Sequence, residues 1–301
     1  EMTSSLVGSE MCIRDRQQCV KTNYLRLNKE LTSEHYRKAI DEAKRIINTS
    51  LNNNIFIISQ YDSIFPTQLK ELKLYNNGKF KDVAPLLLNY KGDINSINYK
   101  KSIAIIGTRK PSIEGENAGN YYGGYFAQKG YNIVSGLALG CDTIAHKAAL
   151  NVIGGTTTAI LAHGLHMVSP KAHERIAEEI IERGGVLLSE YFYGTPAFKT
   201  YFVERDRLQA GLAIATIVIQ TGLKGGTMHA VQTTIDNNKI LAAVSYREKR
   251  VRELENVCGN DYLIKQRGAF PLRDANVLYD FLQSGQKIQY KQKDPDMQLN
   301  F

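Results

Sequence analysis

Ser135-Gly136-Leu137-Ala138-Leu139-Gly140-Cys141-Asp142-Thr143-Ile144-Ala145-His146 is the stretch on which the fold of this chain turns. It follows the apolar run Tyr131 to Val134 and passes directly into a helix-forming segment, Thr143 to Leu150. A strand that ends in Ser-Gly and turns at once into a helix leaves backbone N–H groups free beside the positive pole of the helix dipole. Anions such as phosphate bind at such places. Earlier in the chain Ile103-Ala104-Ile105-Ile106 runs into Gly107-Thr108-Arg109-Lys110-Pro111-Ser112, a turn of the same kind. Two such turns side by side predict a phosphate-binding rim, to which Arg109 and Lys110 add full charges.

Outward from these turns the pattern is strand–helix alternation. Ile103–Gly107, Tyr131–Ser135, Thr157–Ala162, Val186–Glu190, Ile214–Gln220 and Lys239–Val244 are apolar runs of strand length. Helical stretches lie between or beside them: Ile113–Lys129, Thr143–Leu150, Lys171–Glu182, Val203–Ala210 and Thr227–Asn237. Near-continuous apolar strands separated by helices predict a parallel sheet covered on both faces. The right-handed crossover rule then gives an extended Rossmann-like, doubly wound α/β domain with a mostly parallel sheet, expected over residues 100–270. A helix over 30–50, a short β-type run at Ile55–Ser59 and an extended connector from Tyr61 to Tyr99 predict a short helical and extended N-terminal appendage, residues 17–99. Late helices are expected at Glu255–Gln266 and Ala275–Gln283, and residues 271–301 then comprise a C-terminal helix with a polar, frayed tail. Residues 1–16 have no periodic apolar face and read as a non-native, adapter-derived segment.

Bulk composition narrows the function. Of 301 residues, 43% are hydrophobic and 23% charged, the balance of an ordinary globular protein. No apolar run approaches the roughly 20 residues that span a bilayer. Cys12, Cys19, Cys141 and Cys258 form no CxxC pair, so neither a disulfide framework nor a zinc knuckle is expected, and a reducing cytoplasm is the expected location. The net charge of +8 favours an anionic partner.

The motifs offer cradles rather than catalysts. Gly107-Thr-Arg-Lys-Pro-Ser is not the GxGxxG fingerprint, and GxxxxGK[ST] is absent from the chain. Arg109 is either a phosphate ligand or a loop charge in solvent. Asp142 and His146 have a spacing that could hold a metal, but two ligands do not make a site. The plainer reading is an Asp in the first helical turn with a His packed nearby. Gly225-Gly226-Thr227 opens a helix and repeats the anion-cradle logic. The segment Phe198-Lys199-Thr200-Tyr201-Phe202-Val203-Glu204-Arg205-Asp206-Arg207 interleaves three aromatics with three cations, the composition for stacking bases while neutralising phosphates. The alternative is an amphipathic helix start with its aromatics buried. No Ser-His-Asp set or paired-carboxylate layout is legible, and no cofactor is expected.

Together these residues resemble the DNA-processing protein A (DprA/Smf) family, from about Tyr61 to Phe270. The elements that carry the resemblance are Pro85-Leu86-Leu87-Leu88-Asn89-Tyr90-Lys91-Gly92-Asp93, Ile103 to Ser112, the Ser135–His146 block, Ser189-Glu190-Tyr191, Phe202 with Arg205-Asp206-Arg207, Gly225-Gly226-Thr227 and Gly259-Asn260-Asp261-Tyr262-Leu263-Ile264. The resemblance implies a non-enzymatic, dimeric protein that binds single-stranded DNA and loads RecA recombinase onto it in natural transformation. Position by position it implies a phosphate contact from Arg109, a backbone contact from Lys199, base stacking on Phe202, and a pocket lined by Gly107, Ser135 and Gly136; the cradles and the aromatic-basic segment add Thr108, Lys110, Arg205, Arg207, Gly225, Gly226 and Thr227 as expected DNA contacts. The chain departs from the family pattern at Asp206, where Asn is usual, and at Ala243-Val244-Ser245-Tyr246, where Pro-Gly is expected. A truncated N-terminal helical domain and no C-terminal winged helix are also expected.

Two other functions compete on the same fold. A nucleotide sensor or nucleoside-monophosphate phosphoribohydrolase would carry a catalytic Glu in a Gly-Gly-x-Gly-Thr-x-x-Glu motif, whereas here Met228-His229-Ala230 follows Thr227. A phage-defence module reusing the fold is the third reading.

Overall fold

The computed structural model describes residues 32–76, 78–97, 101–286, 288 and 290. The expected adapter-derived segment 1–16 lies outside them, as does most of the expected tail. The chain divides into two compact units, Glu1–Asn54 and Ile55–Phe301. In the first, helix α1 (Ser33–Leu51) starts at a capping box: Thr32 Oγ1 accepts the His35 N–H, and the Thr32 N–H reaches His35 Nδ1 at 3.2 Å.

A nine-stranded sheet organises the second unit. Its strands are β1 (Phe56–Ser59), β4 (Leu87–Gly92), β5 (Ser102–Ile106), β6 (Asn132–Ser135), β7 (Thr157–Ile160), β8 (Val186–Ser189), β9 (Ala215–Val218), β10 (Ile240–Val244) and β11 (Phe270–Leu272). The order is β1-β4-β8-β7-β6-β5-β9-β10-β11. From β8 to β11 every pairing is parallel, whereas β4 runs antiparallel to both β8 and β1. The chain winds outward from β5 through β6, β7 and β8, then returns to place β9 on the other side of β5. That reversal opens a crevice at the carboxyl ends of β5 and β9, where doubly wound sheets hold their ligands.

Alternation along β5 divides the core. Ile103 and Ile105 pack with Tyr122 and Phe126 of α2 (Ile113–Gln128), Ala145 and Ala149 of α3 (Cys141–Leu150) and Leu278 of α9 (Ala275–Gln283). Ala104 packs with Leu208 and Leu212 of α5 (Lys199–Leu212), and Ile106 with Val231 of α6 (Thr227–Asp236) and Leu263 of α8 (Cys258–Arg267). Burial on both faces is why these strands read as unbroken apolar runs. Helix α4 (Glu174–Glu182) lays Ile176, Ala177 and Ile180 against Ala159 and Leu187. Among the described residues no helix is long and apolar enough to cross a membrane.

The expected doubly wound, mostly parallel α/β fold is present, with differences in detail. The sheet takes in Phe56–Ser59 and Leu87–Gly92, which the expected boundary at residue 100 leaves outside. The rest of the expected connector contains a hairpin, β2 (Lys73–Asn76) and β3 (Lys79–Asp82). It hangs on the end of α6: Lys73 N–H donates to Asn237 Oδ1 at 3.0 Å, and Tyr75 N–H to Asp236 Oδ2 at 2.9 Å. Helix α5 begins at Lys199 rather than Val203, because Phe198 already takes the extended N-cap geometry. The short helix α7 (Lys249–Arg252) precedes α8, which starts at Cys258 rather than Glu255. Tyr290, in the tail expected to fray, accepts the Leu241 N–H at its hydroxyl at 2.7 Å and so lies on β10.

Candidate nucleic-acid interface

The turn after β5 is fastened on three sides. Thr108 N–H donates to the Gln220 carbonyl beyond β9 at 2.8 Å, and the Thr108 carbonyl accepts the Cys141 N–H at 3.1 Å. The turn therefore sits on the N-terminus of α3 and takes up its first amide. Gly140 permits this approach: its φ is 75°, and a β-carbon there would stand 2.5 Å from the Thr108 oxygen. Gly107 is equally confined, its missing β-carbon falling 2.6 Å from Cys141 Sγ. Ser112 caps α2 by accepting the Gly115 N–H, and the buried Gln220 side chain clasps Ser112 through 2.9 and 2.8 Å bonds. The Lys110 carbonyl accepts Asn256 Nδ2 at 2.6 Å. On this fixed backbone the side chains of Arg109 and Lys110 project into solvent.

The neighbouring Ser135–His146 turn is filled from within. Asp142 Oδ2 accepts the N–H groups of Gly136 at 3.2 Å and Ala138 at 3.4 Å, so the protein's own carboxylate takes the donors expected to hold an external anion. The Ser135 hydroxyl donates to the Ile105 carbonyl at 2.7 Å and is fully buried. Ser135 and Gly136 thus lie behind the rim, not on it. Leu137 has a φ of 56°, a conformation that costs a non-glycine residue about 1–2 kcal/mol. Two histidines hold it there. Its N–H donates to His146 Nε2 at 3.3 Å, and its carbonyl meets His173 Nδ1 at 2.8 Å. His146 Nδ1 lies 2.7 Å from the Thr157 hydroxyl, which itself donates to the Ile133 carbonyl. This network assigns the His146 proton to Nδ1 and leaves Nε2 as acceptor. Burial, with Arg205 close by, pushes the His146 pKa down to about 3. The plainer reading of Asp142 and His146 is the one observed. Among the described residues no group of three or more His, Cys, Asp or Glu side chains is placed to hold a metal.

Helix α5 separates the cations that composition had grouped. Arg205 is 3% exposed; its Nη1 donates to the Ile160 carbonyl at 2.8 Å and its Nε lies 3.3 Å from Asp206 Oδ1. It fills the space above Gly136, where any β-carbon would fall on its guanidinium. Arg207 forks onto Glu190 with two 2.6 Å bonds and also donates to the carbonyls of Val83 and Glu204. Both arginines are withdrawn from solvent, so direct DNA contact by either does not fit this arrangement. The exposed side of α5 carries Lys199, with Phe202 one turn on. The Arg109 guanidinium stands over the Phe202 ring, 5.4 Å from its centre. Tyr191 and Tyr201 stack at 4.1 Å, and Phe198, half exposed, meets Tyr201 edge-on.

Across the crevice, Gly225 (φ 137°) and Gly226 are exposed, and Gly226 is the N-cap of α6 without a side-chain cap. Thr227 opens the helix. A β-carbon on Gly226 would stand 3.3 Å from Asp206 Oδ2, which places that carboxylate under the α6 N-terminus. Asp206 also accepts Gln209 Nε2 at 3.0 Å. Burial pushes its pKa up to about 7; Asp142 adds to the rise, while Arg205 and Arg109 oppose it.

Two residues were not singled out for a site role from sequence. Gln220 clasps the β5 turn as described. Asn260, buried on α8, accepts the Thr221 N–H and donates to the carbonyls of Ile219 at 2.8 Å and Val244 at 3.0 Å, tying the ends of β9 and β10 together. Its position in Gly259-Asn260-Asp261, just inside a helix start, was the available signal.

Residues 56–283 match the family model described as DNA recombination-mediator protein A. Protein Smf of Escherichia coli (strain K12) is 32% identical over 160 residues, 53% of this chain and 42% of its own length. The DNA processing protein DprA of Streptococcus pneumoniae (strain ATCC BAA-255 / R6) is 33% identical over 184 residues, 61% of this chain and 60% of its own. The matched segments thus span roughly half of these relatives. Among solved structures, DprA from Streptococcus pneumoniae superposes with a TM-score of 0.67 at 24% identity, covering 92% of this chain and 94% of that one. DNA processing protein A from Helicobacter pylori, described for its single-stranded DNA binding mode, gives 0.62 at 26%, covering 76% and 96%.

Proposed function

The chain belongs to the DNA recombination-mediator protein A family, and from that premise we propose that the crevice at the carboxyl ends of β5 and β9 binds single-stranded DNA. The observation that carries this reading is the Arg109–Phe202 pair, 5.4 Å from guanidinium to ring centre on the rim of the crevice. A solvent-facing arginine over an aromatic face offers a phosphate partner and a base-stacking platform at one place. Lys110 and Lys199, both exposed, widen the positive surface. The backbone of Gly107 and Thr108 fixes the turn, and Gly225, Gly226 and Thr227 present α6 amides from the far side. Ser135, Gly136, Arg205 and Arg207 support this rim from behind.

In the same reading the protein acts in DNA processing and homologous recombination by binding, without a chemical step of its own. As a cytoplasmic homodimer it delivers the bound strand to RecA recombinase in natural transformation. The net charge of +8 and the relatives' DNA-processing names support it.

The test is fluorescence-anisotropy binding of a labelled poly-dT strand across a salt series. Wild type is expected to bind with a steep salt dependence, and Arg109→Ala to bind more weakly with a slope reduced by about one unit. Wild-type binding that is absent at low salt would overturn the DNA reading. Added RecA on the same strand, with filament assembly as readout, tests the delivery step.

A further inference from the structure

We propose that the β2–β3 hairpin is a second contact for single-stranded DNA, apart from the crevice, where Tyr75 and Phe80 stack on bases and the lysines beside them meet phosphates. It extends the DNA reading given above to a surface that the rim does not include. The hairpin is a two-stranded ribbon in the register Lys73↔Asp82, Leu74↔Lys81, Tyr75↔Phe80 and Asn76↔Lys79. On β2 the N–H groups of Lys73 and Tyr75 leave the ribbon, for Asn237 Oδ1 at 3.0 Å and Asp236 Oδ2 at 2.9 Å. Asn237 Nδ2 returns a 2.7 Å bond to the Lys73 carbonyl. Tyr75 and Phe80 are therefore a non-hydrogen-bonded pair, the kind whose side chains approach most closely. Their rings meet edge-on with centres 5.2 Å apart. Two short strands are marginal on their own; the three bonds to the end of α6 hold this ribbon in place.

The surroundings of the pair set it apart from a packing contact. Tyr75 is 43% and Phe80 58% exposed, so both rings stay open to solvent. Lys79 and Lys81 flank Phe80 along β3, and Lys73 lies on the Tyr75 face of β2; all three are exposed. Arg207 is spent on Glu190, whereas none of these three lysines has an ion-pair partner among the described residues. The carboxylate on the ribbon, Asp82, accepts the Ala84 N–H at 2.9 Å. Three cations against one carboxylate, around two open rings, complement a polyanion that also offers π-faces. A duplex hides those faces in its stack, so the match is to a single strand. The ribbon is anchored at the opposite end of α6 from Thr227, ten residues or about 15 Å along the helix. It therefore meets a part of the strand outside the crevice.

The chain contains no tryptophan, so Phe80→Trp introduces a lone reporter into the ribbon. In the full chain, poly-dT should quench its fluorescence in step with the anisotropy of the bound strand, and a duplex should quench it far less. Phe80→Ala should weaken binding of a poly-dT strand of about 30 nucleotides by about five- to tenfold. Lys79→Gln together with Lys81→Gln should lower the salt slope by about one to two units. A pair that only clasps the ribbon leaves these readouts unmoved. Absence of quenching by saturating poly-dT, equal quenching by a duplex, or wild-type affinity in Phe80→Ala overturns the proposal. Quenching by a polyglutamate peptide but not by poly-dT also overturns it, assigning the patch to an acidic protein. Arg109→Ala separates the two surfaces. If it weakens binding while Phe80→Trp stays unquenched, the crevice reading stands and the hairpin contact falls. If Phe80→Trp is quenched while Arg109→Ala binds as wild type does, the hairpin contact stands and the crevice reading falls.

Discussion

Gly136 and Arg205 share one space: the buried guanidinium occupies the volume in which any β-carbon on Gly136 would lie. Gly136→Ala must therefore displace a cation that bonds the Ile160 carbonyl and faces two carboxylates. A loss on the order of 3 kcal/mol is expected. Chemical denaturation of the variant against wild type measures it, and a change under 1 kcal/mol would show that Arg205 has somewhere else to go.

Arg205→Ala removes the ion-pair partner of Asp206 and the cation that Asp142, buried nearby, faces. The expected cost is about 3–5 kcal/mol. Adding Asp206→Asn to that background removes one of the two stranded charges, so the double variant should recover part of the loss. A double-mutant cycle on denaturation midpoints reads this coupling. Strict additivity of the two substitutions would contradict the Arg205–Asp206 pairing.

Phe202→Ala and Arg207→Ala separate the rim from its scaffold. Loss of the Phe202 ring should weaken poly-dT binding by about 1–3 kcal/mol with little change in salt slope, because stacking neutralises no phosphate. Arg207 is committed to Glu190, so the folded Arg207→Ala protein should keep the wild-type salt slope. A reduced slope in Arg207→Ala would mean that the Glu190 pair opens to DNA.

His146 and Asp206 give stability opposite pH dependences. The native His146 pKa of about 3 lies below the ordinary value, so as pH falls from about 6.5 the unfolded chain takes a proton that the native site refuses. Its share of stability is present above that range and lost toward pH 3. Asp206, raised to about 7, holds its proton in the native state after the unfolded chain has released it, so stability is lost as pH rises from about 4 to 7. Asp206→Asn should accordingly raise Tm by several degrees at pH 8 and have little effect near pH 4. Calorimetric scans at the two pH values check the sign.

Periodicity revealed the parallel strands because burial on both faces makes them apolar throughout. It missed β4 as a sheet strand because Asn89, among the sheet's buried residues, looks like loop sequence; its side chain instead bonds the Ser189 carbonyl at 3.3 Å. It missed β11 because three residues with a central Pro271 carry no period. At the rim, Arg109 was readable from its place just past a strand end. Arg205 and Arg207 were not, since composition cannot tell a cation facing solvent from one matched to Asp206 or Glu190. The self-filled Ser135 turn was equally hidden: a free amide cradle and one occupied by its own Asp142 are spelled with the same letters.

Arg109 and Phe202 meet across the crevice, yet three strands and three α-helices separate them along the chain. Every other pairing on the rim is comparably non-local, drawing on the turns after β5 and β9 and on the start of α5. Such contacts form only after long loops have closed, which makes parallel sheets slow to fold. The rim thus has no local precursor: it comes into being when β9 docks beside β5, and recovery of DNA binding during refolding should trail the return of helical signal.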